Sequence, residues 1–143
     1  MSSGLEPLTP LLGEWVAESK AFAEGRGHTT VTLTEDGKLM RVHSIAEDQR
    51  FPESLMIVGA DEASDDYTAL YHDSRGVYRV YRMRLAEGKW TIWREAPRFH
   101  QRYIGKLSDD GRNITGRWEF SEDGKSWKVD FDLNYSKGAG GHS

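Results

Sequence analysis

The sequence contains no cysteine, and this absence excludes a disulfide framework, a thiolate nucleophile and a cysteine-ligated zinc site. It also lacks an apolar run long enough to cross a membrane as a helix. Basic residues are in deficit, since 19 lysines and arginines stand against 23 aspartates and glutamates, for a net charge of −4. Binding to nucleic-acid phosphates or to an anionic membrane surface normally requires a basic surplus, so both partners are disfavoured.

A secretory signal is not visible either, because residues 1–10 lack a basic segment followed by an apolar run. We therefore expect a cytoplasmic protein, although a signal removed from a longer precursor would place it outside the cytoplasm. The 143 residues are enough for one domain. We assign that domain to residues 1–137 and interpret the glycine-rich residues 138–143 as a flexible tail.

Turn signals made of an acidic or polar residue and a glycine recur at regular intervals along the chain. Glycine supplies the positive φ that tight hairpin loops require. The stretches between these turns are rich in aromatic and β-branched residues and have the usual length of a strand. The predicted strands are 14–23, 28–34, 39–46, 54–60, 67–72, 77–85, 89–94, 99–107, 112–120 and 126–136.

The connections between these strands leave no room for a crossover helix, which excludes parallel βαβ units. Sequential antiparallel strands form a meander, and closing the meander into a barrel removes its two unpaired edges. The sequence therefore predicts an all-β fold, a closed antiparallel up-and-down barrel of about ten strands. One helix candidate, Glu6–Leu12, carries leucines that would cap one mouth of the barrel.

Side chains alternate across a strand, so one phase of each strand lines the interior. In the last strand the apolar phase is assigned to the interior, because burying the unpaired aspartates of the other phase is costly. That phase is Trp127, Val129, Phe131, Leu133 and Tyr135. In strand 77–85 the better interior phase carries an arginine, Arg79, beside Tyr81.

A barrel of about ten strands is wider than the eight-stranded kind, so its lumen suits an apolar ligand with one polar end. The alternative is that the aromatic side chains simply fill the lumen. His43 lies in mid-strand and is either a lumen base or ligand or a surface residue. The candidate ligand-binding residues are Arg79, Tyr81, Tyr103, Gln101, Trp118, Tyr71, Tyr135, His43 and Arg94.

Arg79 is the most informative of these residues, because an arginine cannot lose its charge. Inside a barrel its guanidinium must meet a carboxylate, a carbonyl cluster, water or an anionic ligand. An internal salt bridge is therefore the alternative to capture of an acidic head group. The histidines show no spacing typical of metal ligands, so no dedicated metal site is expected.

The segment LLGEW (11–15) resembles the G-x-W motif of the calycin superfamily, in which the tryptophan packs at the closed end of the barrel. Gly13 and Trp15 match this motif. The segments 70–83, 99–127 and 130–135 are similar to bacterial lipocalin-like proteins of unknown function, related in architecture to fatty-acid-binding proteins and to haem-binding nitrobindins. The resemblance covers nearly the whole chain and implies a closed barrel with a lumen.

The chain also departs from these relatives. Nitrobindins bind haem through a lumen histidine on a late strand, whereas alternation places His100 outside, so a haem cofactor is disfavoured. Fatty-acid-binding proteins hold a carboxylate with an arginine and a tyrosine two residues apart on a late strand. The final strand here has no arginine, and Arg79 and Tyr81 form such a pair on a different strand.

We therefore expect a non-catalytic carrier or sensor without a cofactor. Its ligand would be a small hydrophobic or amphipathic molecule, and an anionic ligand is one form of this hypothesis. One alternative is an enzyme of the isomerase or cyclase type, with His43 or a lumen tyrosine as its titrating group. The other is a haem-binding protein similar to nitrobindins. The sequence leaves open whether the chain forms a homodimer.

Overall fold

A computed structural model describes residues 4–21, 26–48 and 50–138, and these form eleven strands and one short 3₁₀ helix, Glu6–Leu11. The helix precedes the first strand. The strands are β1 Gly13–Glu18, β2 Gly27–Leu33, β3 Met40–Ala46, β4 Ser54–Ala60, β5 Tyr67–Asp73, β6 Tyr78–Ala86, β7 Lys89–Arg94, β8 His100–Leu107, β9 Asn113–Ser121, β10 Lys128–Asp132 and β11 Asn134–Lys137. Among these residues, no helix is long and apolar enough to cross a membrane.

Strands β1 to β9 follow one another around the sheet, and each pairs antiparallel with the next. The ring closes through β11, which pairs with β9 on one side and with β1 on the other. The predicted closed up-and-down barrel is confirmed, with ten strands in the ring and one extra strand, β10, beside β9. The turn between β6 and β7 shows the expected chemistry, since Glu87 and Gly88 have φ values of 55° and 77°.

The 3₁₀ helix closes one end of the barrel, as the sequence predicts. Leu8 and Leu11 of this helix are fully buried against the hydrophobic core. Trp15 lies directly below them, and its Nε1 donates a hydrogen bond of 2.9 Å to the Leu11 carbonyl oxygen. The hydroxyl of Tyr67 donates to the carbonyl oxygen of Gly4, 2.5 Å away, and fixes the chain that leads into the helix.

The last predicted strand, 126–136, is divided into β10 and β11, and part of its predicted orientation is wrong. A β-bulge shifts the register between Val129 and Phe131. Val129 pairs with Glu119 on the outer face and is 60% exposed, whereas Phe131 pairs with Trp118. One extra residue reverses the alternation, so the interior phase holds only from Phe131 onwards. Trp127 lies outside the barrel, where the centre of its ring is 3.9 Å from the guanidinium carbon of Arg102.

Two boundaries also differ from the prediction. Strand β1 ends at Glu18, and residues 22 and 23 of the predicted strand lie outside the described residues. Gly138 was expected to begin a flexible tail. It is buried instead, and its backbone N–H donates a 2.7 Å hydrogen bond to the backbone carbonyl oxygen of Glu14. The rest of the predicted tail, 139–143, lies outside the described residues.

Candidate functional site

A cavity of about 450 Å³ opens at the mouth opposite the helix-capped end and extends into the lumen. The aromatic side chains therefore do not fill the lumen. Loops between β3 and β4 and between β7 and β8 surround the mouth and contribute Phe51 and Phe99 to the wall. Inward-facing side chains of the strands, with Leu133 between β10 and β11, form most of the rest of the wall. The strand residues among them are Thr29, Val42, Ser44, Met56, Tyr71, Arg79, Tyr81, Trp90, Ile92, Gln101, Tyr103, Trp118, Phe131 and Tyr135.

Arg79 lines this cavity from strand β6, where it lies opposite Tyr71 of β5. Its Nη1 donates a hydrogen bond of 3.3 Å to Gln101 Oε1, and its guanidinium carbon is 5.8 Å from the centre of the Phe99 ring. Within the described part of the chain, Arg79 forms no ion pair with a carboxylate. The internal salt bridge considered from the sequence is therefore not formed with any described residue. The guanidinium presents its positive charge at the mouth of the cavity, which Asp130 also lines.

Gln101 connects Arg79 to the buried Tyr81. Its side-chain oxygen accepts one hydrogen bond from Arg79 and a second, of 3.1 Å, from the Tyr81 hydroxyl. An amide oxygen has two lone pairs and can accept both bonds. Gln101 is only 8% exposed, so its side chain is held in place by its surroundings. Because an amide carries no charge, it orients the guanidinium without neutralising it.

A second arginine at the mouth, Arg75, differs from Arg79 because its charge is compensated. Its Nη2 lies 2.6 Å from a carboxylate oxygen of Asp73, whose side chain is fully buried. The same oxygen accepts a hydrogen bond of 2.7 Å from Tyr71. Hydrogen bonding from the Arg75 side chain, followed by that from Tyr71, holds the pKa of Asp73 far below its ordinary value despite burial. Burial, followed by the bond to Asp73, raises the pKa of Tyr71.

Aromatic rings form the deeper part of the cavity. The ring of Trp90 lies 5.4 Å from that of Tyr103 and 5.8 Å from that of Tyr135, measured between centroids. Trp118 extends the cluster towards the mouth, with its ring 5.5 Å from Tyr103 and 5.8 Å from Tyr81. Burial raises the pKa of both Tyr103 and Tyr135, so their hydroxyls stay neutral near pH 7.

The structure brings most of the predicted site residues together but not His43 and Arg94. His43 lies on the outer wall, where its Nε2 is 2.6 Å from Glu53 Oε2, so a lumen role for His43 is wrong. Both phases of β3 carry apolar residues, and the one turned inward contains Val42 and Ser44. Arg94 does not line the cavity itself but a neighbouring hollow, although it pairs with Gln101 across β7 and β8 and is inclined over the Tyr81 ring at 5.9 Å.

Sequence reasoning did not identify the polar pair on β2 and β3 or the ion pair at the mouth. Thr29 Oγ1 and Ser44 Oγ lie 2.9 Å apart and both line the cavity. Alternation along β2 would have indicated Thr29, which shares a face with the buried Val31. No comparable signal exists for Arg75, because it lies in the turn that follows Asp73.

The histidine arrangement bears on the haem alternative. His100 lies on the outside, as alternation predicts, and its Nδ1 accepts a hydrogen bond of 3.2 Å from the backbone of Ala96. His28 borders the cavity mouth, but its side chain is 61% exposed and 3.5 Å from Glu47. Among the residues that the structure describes, no three or more His, Asp or Glu side chains gather as metal ligands would.

No model of a known protein family matches this chain, and comparison with curated proteins gives no match either. The assignment of the chain to the calycin superfamily therefore stays a prediction from its sequence motifs. The barrel agrees with it in architecture, but a fold alone identifies neither a family nor a function.

Proposed function

We propose that the barrel binds a small amphipathic molecule that has an acidic head group, as a carrier or sensor and without catalysis. The head group pairs with Arg79 at the mouth, and the apolar body lies along the aromatic wall. The observation that carries this proposal is the cavity-lining Arg79 guanidinium, whose polar side-chain partner is the neutral Gln101. A relationship to calycins is part of the proposal, supported by the position of Trp15 at the closed end.

The dimensions and lining of the cavity support binding of this kind. A volume of about 450 Å³ falls within the ~300–1,000 Å³ of typical small-molecule pockets. Each methylene buried against the rings contributes about 0.8 kcal/mol. A hydrogen bond to a charged group adds about 1.5–3 kcal/mol. The apolar body thus supplies most of the affinity, and Arg79 selects an acid and sets its orientation.

The catalytic alternatives receive less support. His43, the base considered from the sequence, faces away from the lumen. The hydroxyls of Tyr103 and Tyr135 have raised pKa values and cannot act as bases near neutral pH. The proposal is therefore one of binding.

Arg79→Gln tests the proposal directly. We expect it to weaken decanoate binding about ten- to hundredfold, the equivalent of one lost charge-assisted interaction. Decanol, which has no charge, should bind both proteins similarly. Displacement of an apolar fluorescent dye measures both affinities, and native mass spectrometry of freshly purified protein reveals any retained ligand.

Arg41→Gln is the matched control, because Arg41 is an exposed arginine on the outer face of β3. This control should bind decanoate as the unmodified protein does. The proposal fails when decanoate and the dye do not bind at all, or when Arg79→Gln and Arg41→Gln bind decanoate equally well.

A further inference from the structure

We propose that the ligand carries a second, neutral oxygen at the end opposite its acid group, and that Tyr135 binds it. The ligand class is then a medium-chain acid with a hydroxyl or carbonyl oxygen near its far end. This inference rests on the proposed function, because it assumes that the acid group occupies the mouth at Arg79. The inference narrows the ligand class from any amphipathic acid to acids that have a second polar oxygen at the opposite end of the chain.

The hydroxyl of Tyr135 differs from those of the other inward-facing tyrosines, each of which donates to an acceptor of the protein. Those donors are Tyr67, Tyr71, Tyr81 and Tyr103, and their acceptors are Gly4, Asp73, Gln101 and Leu133. Tyr135 lines the cavity, and its hydroxyl forms no hydrogen bond with any residue that the structure describes. Because Tyr135 lines the cavity, a ligand oxygen that reaches this hydroxyl gains a hydrogen bond and so gains affinity.

The position of Tyr135 places this donor at the deep end of the cavity. Its ring lies 6.5 Å from that of Trp15, whose indole N–H donates to the carbonyl oxygen of Leu11 in the capping helix. Rings of Trp90 and Tyr103 flank it at 5.8 Å and 6.4 Å. These rings hold the phenol in place, and their faces offer no strong acceptor for its hydroxyl.

The charge distribution indicates that the second oxygen is neutral. The arginines that line the cavity, Arg75 and Arg79, both lie at the mouth. At the deep end the rings nearest Tyr135 are aromatic, and the ammonium of Lys137 is already engaged, since it donates to the Leu12 carbonyl oxygen and lies 4.2 Å over the Trp15 ring. A second carboxylate there would meet no unengaged cation among the described residues. A further donor of the same group, Trp90 Nε1, is buried without a partner. A hydroxyl or carbonyl oxygen therefore fits this end, and a carboxylate does not.

The test compares acids of equal chain length by isothermal titration calorimetry. Octanoate, decanoate and dodecanoate are each measured beside analogues with a terminal hydroxyl, a ketone near the chain end and a second terminal carboxylate. We expect the hydroxyl or ketone analogue to bind at least threefold more tightly than the plain acid at the best chain length. The dicarboxylate should bind more weakly than the plain acid.

Tyr135→Phe keeps the ring contacts and removes only the hydroxyl, and it should abolish or reverse this preference while leaving plain-acid binding within about twofold. Tyr78→Phe is the control, since Tyr78 is 63% exposed on the outer face and should leave the preference unchanged. The inference is overturned when plain acids bind but neither analogue is preferred at any length, or when the preference survives in Tyr135→Phe. Failure of every acid to bind instead overturns the proposed function, and this inference with it.

Discussion

At the level of single residues, Tyr103 shows how a cavity wall depends on the absence of side chains. Gly105 and Gly116 pair across β8 and β9, and the Tyr103 ring lies over both. Its hydroxyl continues past them and donates a 2.9 Å hydrogen bond to the carbonyl oxygen of Leu133, between β10 and β11. One side chain thus joins the middle of the barrel to the irregular end of the chain.

Gly116→Ala should destabilise the barrel by about 1–3 kcal/mol, the usual cost of overpacking a core. A Cβ there would lie 2.3 Å from the Tyr103 hydroxyl oxygen and 2.7 Å from the Ile104 carbonyl oxygen. Urea unfolding at neutral pH measures the change. Gly59→Ala is the matched control and should cost clearly less, because the nearest atom to its Cβ is the mobile end of Leu39 at 3.0 Å. Equal losses in the two variants would contradict this account of Tyr103.

Whether the sequence could assign a residue to the lumen depended on how clearly the two phases of its strand differ. On β6 one phase holds the buried Tyr81 and Met83, so alternation placed Arg79 correctly. On β3 both phases carry apolar side chains, with Val42 inside and Ile45 46% exposed, and so His43 could not be placed. That Arg79 forms no ion pair within the described part of the chain was not predictable, because it depends on side chains from several distant strands.

At the level of elements, the regularly spaced turn signals made the strand order predictable. The division of the final strand was not predictable, because no turn signal marks it. Hairpin turns of the type at Gly88 define where each strand ends, and sequential pairing then follows. The bulge after Val129 has no such signal. It is coupled to a tertiary contact, in which the backbone of Leu133 donates to the Gly116 carbonyl oxygen and Asn134 Oδ1 accepts from the Gly116 N–H.

Asp132, at the end of β10, links this irregular segment to the end of β1. Its carboxylate accepts hydrogen bonds from the backbone of Lys20, from the Ser19 hydroxyl and from the backbone of Ala21, and these lower its pKa from 3.8 to about 2. The folded pKa lies below the unfolded value, so this contribution is complete above pH 3.8 and is lost as the pH falls to about 2.

Asp132→Asn should therefore lower the urea midpoint at neutral pH and reduce the loss of stability on acidification below about pH 4. Urea titrations at a series of pH values measure both effects. Asp65→Asn, which changes an exposed carboxylate in the β4–β5 connection, is the control and should keep the pH dependence of the unmodified protein. An unchanged pH dependence in Asp132→Asn would show that the link between β1 and β10 does not depend on the carboxylate charge.

At the level of the whole molecule, the positive charge of Arg79 is opposite in sign to the net charge of the protein. The chain has a net charge of −4, and of the two cavity-lining arginines at the mouth Arg75 is paired with Asp73, whereas Arg79 has no ion pair with a described residue. The Debye length is about 8 Å at physiological salt, so the distant acidic residues are largely screened from an anion at Arg79. Under the proposed function, the local charge at Arg79 selects the head group, and the sequence totals could not reveal it.

Ligand binding should also stabilise the whole barrel, because the lumen wall draws on strands from β1 to β11 and exists only in the folded state. Decanoate at about one hundred times its Kd should raise the free energy of unfolding by about 2.7 kcal/mol. For a domain of this size that corresponds to a Tm increase of roughly 5–12 °C.

Thermal unfolding followed by near-UV circular dichroism measures this increase, and the aromatic lumen provides the signal. Arg41→Gln should show the same increase as the unmodified protein at a given decanoate concentration, and Arg79→Gln a smaller one. Since the barrel closes through hydrogen-bonded strands all around the ring, the transition should move as a single step, with no early loss of one part. An increase that is identical in both variants would place the bound acid outside the lumen, on a surface that both variants share.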